Sequence, residues 1–281
     1  MKRFYLIPNP EKDKNLAVSR RAAEILLAHG ATVYMDEAYA PSCEGVTPYP
    51  IDADPEGGLD AILTVGGDGT VLSASRIAIR LCAPLFGINL GRLGYLAELE
   101  PDHLEELSRL CEGKCGVRDV MTLRVSLVRE GKEWPLPRYV INDVVVQRQV
   151  TDPTATISIF AEGESEITYV ADGLILATPS GSTAYSLSAG GPVLSPALEA
   201  ICVTPICPHT FFNRAIVFDS TRLLHVRNAG RTEKLLVTLD GRETIEIDQG
   251  DELIVSRSKA TLKILTLHQH DFLGVLKRKI K

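Results

Sequence analysis

The stretch AILTVGGDGTVL (61–72) sets one carboxylate, Asp68, among three glycines directly behind an apolar run. Gly66, Gly67 and Gly69 let a backbone come close to a phosphate, and the free N–H groups of a helix start favour an anion. Thr70 is placed to cap a helix beginning at Val71. A bare carboxylate in such a turn repels phosphate, so Asp68 makes sense there if it takes a proton from a hydroxyl nucleophile, holds a divalent cation, or does both. Stabilising a helix start alone is worth only ~0.3–1 kcal/mol and needs no three glycines around it. The pattern is neither the G-x-G-x-x-G dinucleotide fingerprint nor a Walker A loop. A second glycine turn, NLGRLGYL (89–96), follows the apolar PLFGI (84–88), with Arg92 as its nearest cation.

Two further pieces carry polar chemistry. Asn142 and Asp143 interrupt the β-rich run INDVVV, where an amide and a carboxylate lower sheet propensity and need partners if buried; a turn is the other reading. The segment ADGLILATPSGSTAYSLSAGGP (171–192) crowds glycines, hydroxyls and one tyrosine between apolar Leu174–Leu176 and Val193–Leu194. Backbone amides, hydroxyls and an aromatic face are the set that holds sugar hydroxyls, a phosphate and a flat base. A serine nucleophile is the competing chemistry. His209 is available as base for Ser182 or Ser186, but no G-x-S-x-G or S-x-x-K motif supports it.

The elements that must position these residues fall into two styles. RFYLI (3–7), ATVYM (31–35), AILTV (61–65) and PLFGI (84–88) read as strands, separated by helical spacing at Val18, Ala22, Ile25 and Leu26 and from Val71 to Arg80. Pro101 opens a helix with Leu104, Leu107 and Leu110 on one face. This alternation predicts a doubly wound α/β domain with a parallel sheet over residues 1–117, whose ligands bind beyond the carboxyl ends of the strands. Residues 36–58, rich in Pro, Gly and acids, read as a mobile surface loop. From about 118 the texture turns to short β runs: LRVSLV, RYVINDVVV, TISIFA, LLVTLD, IEID, ELIVS and LKILTL. They predict a β-rich domain over 118–267, with the helical tail 268–281 returning to the first domain.

Composition narrows the partners. Lys and Arg total 30 against 36 Asp and Glu, without a basic block, so no nucleic-acid partner is expected. No apolar run is long enough to cross a bilayer, and no membrane partner is expected. The six cysteines form no C-x-x-C pair, which suits free thiols in a cytoplasmic protein.

In order and spacing, GGDGT (66–70), GINLGRLGYL (87–96), NDVVV (142–146), DGLILATPSGSTAYSLSAGGP (172–192) and TPICPHTFFNR (204–214) together resemble the bacterial NAD kinases. GGDGT alone is shared with phosphofructokinases and with diacylglycerol or sphingosine kinases, whereas the long serine- and glycine-rich segment is specific. Ala177 and Ser180 stand where the commonest form has Ser and Thr.

The resemblance implies an NAD kinase/diacylglycerol kinase-like two-domain fold. It also implies phosphoryl transfer from ATP, or in some members from polyphosphate or another nucleoside triphosphate, with Mg2+, to the 2′-hydroxyl of the adenosine ribose of NAD. Asp68 is then the proton acceptor and Gly69 lines the substrate. Asn142 and Asp143 contact the adenosine end, and Tyr185 packs by the base. Asp172, with Thr183, Ala184, Ser186, Leu187 and Ser188, holds the rest of NAD, in a homodimer or homotetramer that shares the site across subunits. Cys207 falls in the adenine pocket.

Val170 replaces a frequent cation and Arg242 a frequent glutamine, so Arg148 and Arg242 join Gly66, Gly67, Gly69 and Thr70 as candidates for the phosphate contacts. The metal ligands stay unassigned. A non-catalytic nucleotide sensor and a lipid kinase are the remaining readings.

Overall fold

The computed structural model describes every residue except 52, 54, 56, 92, 93, 150–152, 231–233, 269, 270, 280 and 281. The chain forms two compact units: Met1–Val120 with Leu262–Lys281, and Met121–Thr261.

The first unit is built on one sheet. Its strands are β1 (Arg3–Pro8), β2 (Thr32–Met35), β3 (Thr47–Pro48), β4 (Ala61–Gly66), β5 (Leu85–Asn89) and β6 (Gly116–Val120), joined by a late strand, Leu262–Thr266. The order is β3-β2-β1-β4-β5-late strand-β6, parallel except for the pairing of β6 with the late strand. Every residue of β4 and β5 is buried, which is why both read as unbroken apolar runs. Helix α1 (Ala17–Ala28) puts Ala22, Ala23, Ile25 and Leu26 into one core with Phe4, Leu6, Val33 and Leu63. Helix α2 (Asp68–Arg80) buries Val71, Ala74 and Ala78 against β4 and β5. The sheet is therefore the expected doubly wound one.

The second unit contains β7 (Leu123–Arg129), β8 (Lys132–Val140), β9 (Asp143–Arg148), β10 (Ala155–Ala161), β11 (Ile167–Ala171), β12 (Gly173–Ala177), β13 (Ala200–Ile206), β14 (Ile216–Asp219), β15 (Leu224–Asn228), β16 (Lys234–Leu239), β17 (Glu243–Asp248) and β18 (Glu252–Arg257). They make two antiparallel sheets, β11-β10-β15-β18-β7-β8 and β14-β13-β12-β9-β16-β17. One apolar core takes alternate residues from both, such as Val125, Ile157 and Leu253 from the first and Val144, Leu176 and Val237 from the second. The opposite face of the second sheet packs Val145, Ile175 and Cys202 against Leu194, so the segment after β12 is a packed cover rather than a tether.

Several expectations change in detail. LKILTL (262–267), grouped by its texture with the β-rich half, hydrogen-bonds into the first sheet between β5 and β6, because propensity alone does not choose a partner strand. RYVINDVVV is two strands broken by a bend at Ile141 and Asn142. The helix after Pro101 is a 3₁₀ stretch, Pro101–Leu107, continued by one α turn, Ser108–Cys111; Leu104, Leu107 and Leu110 are buried as expected. Within 36–58, β3 adds an edge strand to β2, and Ala40 and Cys43 reach the core, so this segment is partly built into the sheet.

Candidate active site

In the first unit the chain leaves β1, β4 and β5 at one edge of the parallel sheet. Asn9, Gly66–Thr70 and Asn89–Gly91 gather there through Asn9 N–H to the Val65 carbonyl (2.8 Å) and Leu90 N–H to the Gly66 carbonyl (2.6 Å). Helix α2 starts at Asp68 with the extended Gly67 as its N-cap, one turn earlier than Val71. Thr70 is thus inside the helix and caps nothing. It is buried, and its hydroxyl accepts a hydrogen bond from Asn9 Nδ2 (3.2 Å). Gly66 and Gly67 are buried and Gly69 is exposed.

Asp68 is half-buried and is held by the backbone of the second glycine turn. Tyr95 N–H donates to Oδ2 (2.9 Å), and Leu96 and Ala97 N–H donate to Oδ1 (3.1 and 3.3 Å). A β-carbon at Gly94 would lie 1.8 Å from Asp68 Oδ1, so only glycine leaves the carboxylate room in this position. Two glycine motifs that the sequence shows separately are therefore one device: the first supplies a carboxylate and the second supplies its amide cradle. Burial and the Asp68 charge both push the Tyr95 phenol above its ordinary range.

Lys12, which the motifs do not single out, brings its ammonium over this turn. Its Nζ would stand 2.9 Å from a β-carbon at Gly67 and 3.8 Å from one at Gly91. The signal available was topological: Asn9–Lys12 follows the first parallel strand, so it must emerge at the ligand edge. Arg92, the expected cation, lies outside the described residues.

In the second unit a cavity of about 350 Å³ is lined by Asn142, Asp143, Gln147, Ala184, Tyr185 and Asp240, among others. Asp240, in the turn after β16, explains the bend before β9. Its carboxylate accepts from the N–H groups of Ile141 (3.0 Å), Asn142 (2.7 Å) and Asp143 (3.2 Å). Asp143 is nearly out of water, and burial, then the Asp240 charge, pushes its carboxyl up to about 7. Gly181 seats the glycine-rich segment on the same bend: its β-carbon would fall 2.0 Å from the Asn142 carbonyl oxygen. Thr178 adds a bond to the Ile141 carbonyl (2.6 Å).

The other candidates of this unit separate. Tyr185 is exposed at the cavity and Ala184 lines it, whereas Leu187 and Ser188 are exposed on the same short helix. The Thr183 hydroxyl donates to the Ser180 carbonyl (3.2 Å). Ser182 donates to the Pro179 carbonyl (2.6 Å) and Ser186 pairs with Thr204 (2.9 Å), both wholly buried, while His209 is exposed. Neither serine is presented as a nucleophile. Arg148 and Asp172 form an ion pair (Nε–Oδ1 2.7 Å). Arg242 is exposed between β16 and β17, and Cys207 is exposed after β13 in a left-handed conformation (φ 45°).

A parallel sheet with a braced carboxylate in its glycine turn, and a β unit with a largely apolar cavity edged by a tyrosine and a few polar side chains, define a two-unit nucleotide-binding protein. Residues 4–114 match the family model of the ATP-NAD kinase N-terminal domain and residues 141–267 that of the C-terminal domain. The chain belongs to the ATP-NAD kinase family. It is 35% identical to an NAD kinase of Lachnoclostridium phytofermentans, over 99% of both chains. It is 34% identical to one of Thermoanaerobacter sp., over 100% of this chain and 99% of that one. Among solved structures, yeast NADH kinase complexed with NADH shares the fold (TM-score 0.87, 22% identity, 99% of this chain and 86% of that one). An NAD kinase from Archaeoglobus fulgidus in complex with ATP matches with TM-score 0.75 and 26% identity, over 98% and 99% of the two chains.

Proposed function

We propose that the protein transfers the terminal phosphoryl group of ATP to the 2′-hydroxyl of the adenosine ribose of NAD, giving NADP and ADP. The observation that carries this reading is the Asp68 carboxylate, aimed by three backbone amides inside a glycine turn at the ligand edge of the sheet. Asp68 takes the hydroxyl proton as the new P–O bond forms and the bond to the ADP oxygen breaks. Such transfers pass through a loose transition state, so alignment and charge neutralisation dominate and the base contributes about 10²–10⁴-fold.

The backbone of Gly66, Gly67 and Gly69 and the start of α2 receive the donor phosphates, with Lys12 as the nearby cation; Thr70 shapes the turn from inside. A divalent cation such as Mg2+ fits here as the triphosphate's own counter-ion. Asp68 is the carboxylate at the turn, and among the described residues no group of three or more His, Cys, Asp or Glu offers a separate cage. When bound, it neutralises the oxygens of the moving phosphoryl group.

Asn142, Asp143, Ala184 and Tyr185 receive the adenosine end. Cys207 is kept for the adenine pocket, Asp172, with Thr183, Leu187 and Ser188, serves the rest of NAD, and Ser186 supports the segment from beneath. The exposed Phe211 and Phe212 support a homodimer or homotetramer, and six free thiols support a cytoplasmic setting.

The test is to incubate the protein with NAD, ATP and Mg2+ and to read NADP with an NADP-specific dehydrogenase. NADP formation is expected. Tight NAD binding without ATP consumption returns the sensor reading, and phosphorylation of a long-chain diol instead of NAD returns the lipid kinase.

A further inference from the structure

Arg118 lies in β6 of the first unit, with most of its side chain buried. Its Nη2 donates to the Tyr95 carbonyl (3.2 Å). That carbonyl belongs to the peptide whose N–H, on Leu96, donates to Asp68 Oδ1. A guanidinium, one peptide group and a carboxylate thus stand in series. A charged donor on the carbonyl polarises the peptide and strengthens its N–H as a donor, and hydrogen bonds in series reinforce one another where water is excluded.

The arrangement has a cost that packing alone does not account for. Burial pushes the guanidinium below its ordinary range, against the pull of Glu98 and Asp68, and Nε is buried without a hydrogen-bond partner among the described residues. Glu98 is itself largely out of water, and its carboxyl is raised by that burial although Arg118 opposes the rise. Two ionisable groups are therefore desolvated behind the cradle of Asp68. A buried cation with only part of its donors satisfied is weak evidence for stability and calls for another role.

We propose that Arg118 is a positioning residue for phosphoryl transfer, holding the Asp68 carboxylate in its reactive orientation through the Tyr95–Leu96 peptide. The inference rests on reading Asp68 as the proton acceptor. Arg118 touches neither substrate; it acts through the cradle.

The experiment compares kcat and KM for NAD and ATP in Arg118→Met and Arg118→Lys, each made in the parent and in Asp68→Asn, with thermal unfolding as the folding control. In the parent, Arg118→Met lowers kcat by about 10- to 100-fold, and both KM values stay within about twofold. Lys keeps the charge but not the planar fork, so Arg118→Lys falls between the two, about threefold or more below the parent. In the Asp68→Asn background Arg118→Met costs less than about twofold, because the group being positioned is gone.

An unchanged kcat, a loss confined to KM, or an equal loss in both backgrounds overturns the proposal. If Arg118→Met does not fold, Arg118→Lys decides: a fall in kcat at constant KM supports it and the parent's kcat overturns it. Parent-like turnover in Asp68→Asn removes the reading of Asp68 itself. An inactive Asp68→Asn beside a fully active Arg118→Met removes only the role of Arg118.

Discussion

Asp68 in the first unit and Asp240 in the second are cradled in the same way, each by the N–H groups of three consecutive residues. Asp143, beside Asp240, is treated in the opposite way: it is taken out of water and set against a second negative charge, which pushes its carboxyl up to about 7. A row of amides stabilises an anion and fixes where it points; a low-dielectric site next to another carboxylate favours the proton. Three aspartates of one chain thus take different duties from their surroundings alone. The cradle in the glycine turn aims a carboxylate, the cradle beside β9 shapes a backbone, and the uncradled, buried Asp143 carboxyl is the one pushed up to about 7.

Removing the charge from the first cradle has the largest expected effect. Asp68→Asn is expected to lower turnover by about 10²–10⁴-fold while NAD affinity is largely kept, read by NADP formation and by calorimetric NAD binding. Gly94→Ala leaves the carboxylate in place but forces it out of its cradle, since the added carbon would sit 1.8 Å from Asp68 Oδ1. A displacement of about 1 Å is enough for a loss near 10²-fold in kcat, and unfolding curves should show the fold intact.

In the second unit, Asp240→Ala strands the N–H groups of Ile141, Asn142 and Asp143, at a cost of about 1–3 kcal/mol in denaturant unfolding. NAD affinity should fall with it, because the cavity wall is what the carboxylate holds. If turnover fell and stability did not, the two cradles would not differ in duty and the comparison would fail.

A last effect is the dependence of stability on pH. The folded-state pKa of Asp143 is raised above the ordinary carboxylate value of 3.8. Its stabilising contribution is therefore fully present below about pH 4 and is lost as pH rises through about 7. Melting temperatures from pH 5 to pH 8 should fall more steeply in the parent than in Asp143→Asn, which cannot ionise. An identical slope in both proteins would remove Asp143 from that role.

Part of the candidate site stands out in the sequence because local chemistry marks it. Three glycines crowd around Asp68 in the sequence, and Gly94 stands in a turn whose position after an apolar strand already places it at the same sheet edge. Lys12, Asp240 and Arg118 left no such mark. Each is an ordinary charged residue in its own neighbourhood, and each acquires its place through contacts far along the chain: Asp240 with the amides of 141–143, and Arg118 with the carbonyl of Tyr95. Thr70 shows the converse, since its type and position suit a helix cap and yet the helix begins at Asp68, where Asn9 of another strand end takes the hydroxyl inward.

By itself the amino-acid order determined the two styles of secondary structure, the glycine turns at the strand ends, and the motifs that mark the family, because periodicity, glycine and proline act over a few residues. Only the tertiary structure decided that the late strand Leu262–Thr266 completes the first sheet, that Gly94 makes room for Asp68, and that the Asp143 carboxyl is pushed upward. Strand partners and pKa shifts depend on which groups share a small volume and how much water is left there, and that is settled only when distant segments close on one another.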